Sequence, residues 1–210
     1  MNDDTRAKSG TAAAASVEDI IGDYRSFFAD LRKRLKAVGI DITDCAMSHL
    51  AFRTATIPEY EEVREQLRKV CIADVENVWN GRSIDKLLLR EPLSLDPDTE
   101  VSLIELIPIP HQRDYPMGLE HVGVVIGETF ERFVKDYHVV LTGRQDQGPF
   151  CQPAYITFEN NRTVKFYRYS LKDVVEREGR SFTPYVQGSH RGPRTRRKER
   201  HRSPPCGRVR

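Results

Sequence analysis

The sequence predicts an α+β fold, with two tandem βαβββ modules following an N-terminal amphipathic helix. Three observations carry this reading. Two short apolar strands, AMSHLAFRT (46–54) and LEHVGVVIG (119–127), are each entered by a histidine; each is followed by the same succession of helix and three strands; and an Asn80-Gly81 pair stands between two strand-like segments. A histidine in a strand this apolar must either hydrogen-bond or bind something once it is buried.

Ser16 to Asp19 has the form of a capping box, after which Ile20, Tyr24, Phe27, Phe28, Leu31, Leu35 and Val38 recur at helical spacing until Gly39. One amphipathic helix is expected there. A strand over 47–54 leads to a second helix opened by Pro58, with Val63, Leu67, Val70 and Cys71 on one face. VENVWNGRSIDKLLL follows as a hairpin, because Asn-Gly tolerates the positive φ of a two-residue turn. VSLIELIPIP is the next strand, ended by prolines.

The second half repeats this order. Strand 119–126 precedes TFERFVKDYH, whose Phe130, Phe133, Val134 and Tyr137 have helical spacing, then strands in VVLTGR, PAYITFE and TVKFYRYS, with a turn at Asn160-Asn161. Ser170 to Asp173 caps a short final helix that stops at Gly179. The expected organisation is a disordered N-terminus over 1–15, a domain over 16–179 (module one about 46–110, module two about 118–170), and a disordered tail over 180–210.

Composition limits the function classes. A chain of 210 residues with 39% hydrophobic and 30% charged residues can build a sizeable soluble core. Its apolar runs fall far short of the roughly 18 residues of a membrane span, and the N-terminal stretch lacks the apolar core of a signal peptide. Cys45, Cys71, Cys151 and Cys206 have no C-x-x-C spacing, which argues against a zinc knot and fits reduced thiols in an intracellular, cytoplasmic protein. From Arg180 onward ten Lys or Arg face Glu199 alone, a charge of +9, which leaves −7 on residues 1–179 of a chain whose net charge is +2. The tail has no hydrophobic period and reads as disordered. Its arginines suit nuclear import or phosphate contact, although it lacks interleaved aromatics and a base-reading scaffold, and nucleic-acid binding is not expected except through this tail.

DIT followed by SHLAFR, then NGRSI, LLLREP, SLIELIPIP, RDYPMGLEHVGVVI and TVKFYRYSLKDVV, resemble in order and spacing the bacterial YecM family, over about residues 20–178. Paired βαβββ modules with a histidine on each first strand also resemble the vicinal oxygen chelate architecture of glyoxalases and extradiol dioxygenases. The resemblance implies a cupped mixed sheet lined by the first and fourth strands of each module. His49 and His121 would then face one another, and Glu105 joins them: Leu103, Glu105 and Ile107 share one face of their strand, so Glu105 is a carboxylate on an apolar surface. Two imidazoles and a carboxylate form a facial set for Fe(II), Zn or Mn. Alternatively, each histidine is a satisfied core residue and Glu105 pairs with a cation.

Aligning SLIELIP with TVKFYRY puts Lys165 where a second Glu would complete a glyoxalase-like ligand set. An ammonium cannot coordinate. Lys165 neutralises an anionic substrate, lowers the pKa of a bound water's neighbour, or pairs with Glu105 in a dead site. Tyr167 lies on the same face as a proton donor, and Arg53 shares the face of His49, as a substrate-carboxylate clamp or a rim salt bridge. Alternation points Glu120 away from His121 and outside the cup, with a supporting hydrogen bond to the site from a neighbouring strand as the alternative, and it is not assigned as a ligand. His111, His138, His190 and His201 are read as surface residues.

The implied function is a metal-dependent enzyme acting on a small oxygen-rich substrate by isomerase, lyase or dioxygenase chemistry, with a homodimer as an expected assembly. The competing readings are a non-catalytic metal- or ligand-binding protein with a degenerate site, and a platform for nucleic-acid contact through the tail.

Overall fold

A computed structural model describes residues 15–79, 81–108 and 116–185. The N-terminal stretch, Asn80, His111 and the tail beyond Tyr185, with His190, His201 and Cys206, lie outside the described residues.

Among the described residues, nine strands form one open mixed sheet. Module one contributes β1 (Ala46–Arg53), β2 (Cys71–Trp79), β3 (Arg82–Asp96) and β4 (Thr99–Ile107), with helix α3 (Ile57–Arg68) after β1. Module two contributes β5 (Gly118–Val125), β6 (Gly143–Arg144), β7 (Ala154–Thr157) and β8 (Thr163–Tyr167), with helix α4 (Phe130–Asp136) after β5. With the short β9 (Thr183–Pro184), the order across the sheet is β6-β7-β8-β5-β1-β4-β3-β2-β9. Each module pairs its first strand in parallel with its fourth, β1 with β4 and β5 with β8, and the modules join where β1 runs antiparallel to β5. Both first strands therefore sit at the centre. This is the tandem βαβββ arrangement of the vicinal oxygen chelate fold.

One face carries the main core. Leu50 and Phe52 of β1, Ile104 and Leu106 of β4, Val122 and Val124 of β5, and Val164 and Phe166 of β8 pack against the helices. Burying each such side chain contributes roughly 1.5–3 kcal/mol, which holds the central strands more firmly than ladder hydrogen bonds alone. The N-terminal helix is divided, against expectation. α1 (Val17–Ile21) ends at Gly22 with φ 84°, and Asp23 caps a new helix, α2 (Tyr24–Ala37), by accepting from the Ser26 N–H. The break rotates the apolar stripe so that Ile20, Ile21, Tyr24, Phe27, Phe28, Leu31 and Leu35 are all buried.

A second difference lies in VVLTGR, where only Gly143–Arg144 is strand. Val140 and Leu141 instead donate backbone N–H groups to the Tyr137 carbonyl, finishing the helical turn and leaving Val139 exposed. The expected hairpin between β2 and β3 forms, with Gly81 at φ 73°. Asn160 and Asn161 both take positive φ in the turn before β8.

The chain after β8 crosses the other face of the sheet. α5 (Leu171–Arg177) packs Leu171 and Val174 against Leu103, Cys151 and Tyr167. Residues 180–185, expected in the tail, belong to the fold: Arg180 donates to the Glu76 carbonyl, β9 pairs with β2, and Tyr185 N–H donates to the Ile72 carbonyl at 2.8 Å. Tyr185 packs on the main core, an apolar contact that outweighs the flexibility of this segment. None of the described helices is long and apolar enough to cross a membrane.

Candidate metal centre

Side chains opposite one another in a ladder share a face, and the register therefore fixes the content of the cup. Ala51 stands opposite both Glu105 and His121, His49 opposite Gly123, Gly123 opposite Lys165, and Glu105 opposite Lys86. His49, Glu105 and His121 converge, and each offers a ligand atom within 4.8 Å of the others. The Nε2 atoms of the histidines are 3.1 Å apart; Glu105 Oε2 lies 3.3 Å from that of His121 and 3.7 Å from that of His49. Both imidazoles are fully buried and Glu105 is 8% exposed.

Two β-bulges orient the imidazoles. β1 carries Ser48 as an extra residue between Met47 and His49, and β5 carries Glu120 as an extra residue where Ala51 and Phe52 pair. Each bulge turns a polar side chain toward the histidine that follows it. Ser48 Oγ is 2.9 Å from His49 Nδ1 and accepts the Leu171 N–H at 2.8 Å; Glu120 Oε1 is 3.2 Å from His121 Nδ1. Strict alternation had directed Glu120 out of the cup, and the bulge reverses that. Burial pushes the Glu120 carboxyl up, but hydrogen bonds from His121 and Arg53 outweigh it and hold it at about 2. An ionised Glu120 only accepts, so His121 Nδ1 carries a proton.

That tautomer decides what the cluster needs. If His121 is neutral, its Nε2 presents a lone pair, Glu105 presents another, and His49 brings at most one proton among the three atoms. Burial holds His49 well below the usual histidine value, against the raising effect of Glu105. Glu105 is pushed up by burial, yet His121 and His49 bring its carboxyl well below the usual carboxylate range. Three electron-rich atoms thus meet with too few protons, and a cation at their centre resolves the conflict. Ligand atoms of a tetrahedral ion with bonds of about 2.0–2.1 Å stand about 3.3–3.4 Å apart, close to the spacing of these three. The residues fit a divalent ion.

Gly123 makes the approach of the rings feasible. A Cβ there would lie 2.3 Å from His49 Cε1 and 2.5 Å from Nδ1. The Tyr167 ring packs edge-on against His49, with centroids 5.4 Å apart. Burial, then the charge of Glu105, hold the Tyr167 phenol well above its ordinary range, so it stays protonated as a hydrogen-bond donor.

Arg53 stands on the cup face as alternation requires, but its guanidinium is committed to Glu120 and to the Pro108 carbonyl. Lys165 is buried in the cup and makes no ion pair with Glu105 within 4.0 Å. Lys86, on the other side of Glu105, is also buried and donates to Asn77. Sequence reading passed over Lys86, Ser48 and Gly123. The polar residue directly before each histidine, in SH and EH, was the available signal for the orienting pair.

The family described as YecM protein matches residues 16–178. The chain belongs to the YecM family. Within that family it is 25% identical over 181 residues to Protein YecM of Escherichia coli (strain K12), covering 77% of this chain and 94% of that protein. A solved structure described as Structural Genomics, Protein EC4020 superposes with a TM-score of 0.61 at 25% identity, covering 80% of this chain and all of that one. A glyoxalase I mutant from Zea mays is more distant from this YecM family chain, with a TM-score of 0.37 at 18% identity over 58% of this chain and 42% of that one.

Proposed function

We propose that this YecM family protein is a metal-dependent enzyme of the vicinal oxygen chelate type, acting on a small oxygen-rich substrate. The observation that carries it is the convergence of His49 Nε2, His121 Nε2 and Glu105 Oε2 at 3.1–3.7 Å, with the Nδ1 of each ring engaged by Ser48 or Glu120. His49, His121 and Glu105 would hold a divalent ion such as Zn, Mn or Fe(II) and leave positions open for substrate oxygens. Such an ion supplies Lewis acidity to vicinal oxygens, the common element of isomerase, lyase and dioxygenase chemistry.

The chain's own residues prepare the site. Ser48 and Glu120 fix ring orientation, as hydrogen-bond partners of metal-binding histidines do. Arg53 fixes Glu120 and so acts on His121 at one remove. Tyr167 places a protonated phenol in the cup, suited to donate a hydrogen bond to a substrate oxygen. α5 excludes water from the end of the cup lined by Leu103 and Tyr167.

The test is elemental analysis of protein purified without a polyhistidine tag, followed by calorimetric titration of zinc, manganese and Fe(II). Saturable binding of one ion per chain, lost in Glu105→Gln, supports the reading. Absence of saturable binding overturns it.

A non-catalytic binding protein is the second reading. Lys165 favours it, because the fourth strand of module two brings an ammonium where module one brings a carboxylate. Such a protein binds metal and ligand but leaves vicinal-oxygen substrates unchanged.

A further inference from the structure

Two buried lysines flank the metal-binding cluster from opposite sides. Across the cup the strands run β8, β5, β1, β4, β3, bringing in turn Lys165, then His121 and Gly123, then His49, then Glu105, then Lys86. Lys86 is 6% exposed and Lys165 9%. An ammonium group held against a largely buried wall favours a counter-charge. Neither lysine has an ion-pair partner within 4.0 Å among the described residues: Lys86 donates to the neutral amide of Asn77, and Lys165 has no hydrogen-bond partner among those residues.

The carboxylates of the cup answer this demand only in part, Glu105 feeling the charge of Lys86 without an ion-pair contact. Glu120 is occupied by Arg53 and His121, and Glu105 is turned to the two imidazoles. A divalent ion would neutralise Glu105 and add positive charge beside both ammonium groups. The surplus then exceeds what a single anionic charge cancels. A site with this balance discriminates by charge, through ligands that return to the cup the negative charge its walls lack.

We propose that the cup selects a doubly negative small molecule whose two vicinal oxygens reach the metal position, with its acidic ends held by Lys86 on one side and Lys165 on the other. This inference rests on the metal-centre reading above. It assigns Lys165 a role in place of the missing second carboxylate: the module that lost a ligand gained a counter-charge for the substrate. It also assigns Lys86, with Asn77 as the group that positions its ammonium.

Three two-carbon probes with vicinal oxygens but falling charge test it: oxalate, glycolate and ethylene glycol, titrated by calorimetry into the zinc-loaded full chain, with zinc content measured before and after. The expected order is oxalate, then glycolate, with no measurable binding of ethylene glycol. Lys86→Met and Lys165→Met should each weaken oxalate by about tenfold or more, while weakening glycolate less and leaving zinc bound. Lys165→Arg, which keeps the charge, should retain oxalate binding within about threefold. Met fits an apolar burial site, so these variants fold, and far-ultraviolet circular dichroism checks that they do. Zinc binding with an oxalate-to-glycolate ratio unchanged in both Met variants overturns this inference alone. Failure of the wild-type chain to bind zinc overturns both readings.

Discussion

His49 and His121, 72 residues apart in the chain, point their Nε2 atoms at one another across 3.1 Å, and each is preceded by the residue that engages its Nδ1. The two halves of the site therefore repeat a three-part device: a bulge, a polar side chain, a histidine. The partners differ in charge, a hydroxyl at Ser48 and a carboxylate at Glu120, so the two imidazoles are not equivalent donors.

Removing the orienting partners should weaken metal binding without removing a ligand. Ser48→Ala and Glu120→Gln are each expected to lower zinc affinity by about 10–100-fold, the range for lost outer hydrogen bonds at such sites. Competition against a chromophoric chelator measures it. Equal affinity in wild type and Glu120→Gln would mean that Glu120 serves Arg53 alone.

Gly123→Ala puts a methyl group into the space of the His49 ring. The imidazole is fully buried and bonded to Ser48, so it has little room to yield. The expected result is loss of zinc binding with destabilisation of about 1–3 kcal/mol, the usual cost of overpacking. Urea unfolding, run with and without zinc, separates the two effects; retention of full zinc affinity would show that the ring has another place to go.

Asp85 predicts a pH dependence remote from the site. It is fully buried beside Arg64 at 2.7 Å, and burial, only partly offset by that guanidinium, raises its carboxyl to about 6. The folded pKa exceeds the unfolded one, so the folded state binds the extra proton between about pH 4 and 6. The contribution of Asp85 therefore favours folding below that window and weakens as pH rises through it. Asp85→Asn should flatten this part of the profile, with the wild-type-minus-variant stability falling by about 2–3 kcal/mol from pH 4 to pH 7. Urea midpoints across that range check it, and a difference that rises with pH would show that the pair with Arg64 outweighs burial.

The C-terminal strap predicts where truncation begins to matter. A chain ending at Gly179 loses β9, the Arg180 bond to Glu76 and the packing of Tyr185, whereas a chain ending at Tyr185 keeps them. The shorter form should melt lower by several degrees, at about 2–4 °C per kcal/mol for a chain of this size. Coincident melting curves would mean that the strap adds no net stability.

Much of this architecture was legible because its strands are regular. Period-two alternation in LIEL put Glu105 on the cup face, and repetition of strand, helix and three strands gave the two modules. Alternation alone does not place Ser48 and Glu120 beside the imidazoles, since a bulge breaks the period from which facing is read, and only the polar residue before each histidine hints at the role. The α1–α2 break was visible only as Gly22-Asp23 inside a stripe of helical period, which tertiary packing reset by one short turn. β9 left no trace, because two paired residues have no periodicity. Lys86 in SIDKLLL was read as part of a hairpin; its importance arises from the strand beside it, which sequence order does not display.

The bond from Leu171 N–H to Ser48 Oγ closes a loop of 123 residues around the site. During synthesis His49 emerges long before His121, and Leu171, whose N–H fixes Ser48, emerges after both. Module one can collapse on its own helices by local contacts, but its histidine stays unaligned until nearly the whole described chain has been made. On the metal-centre proposal, ion capture would wait for the end of folding, and a nascent or prematurely ended chain would carry the imidazoles without the means to hold an ion.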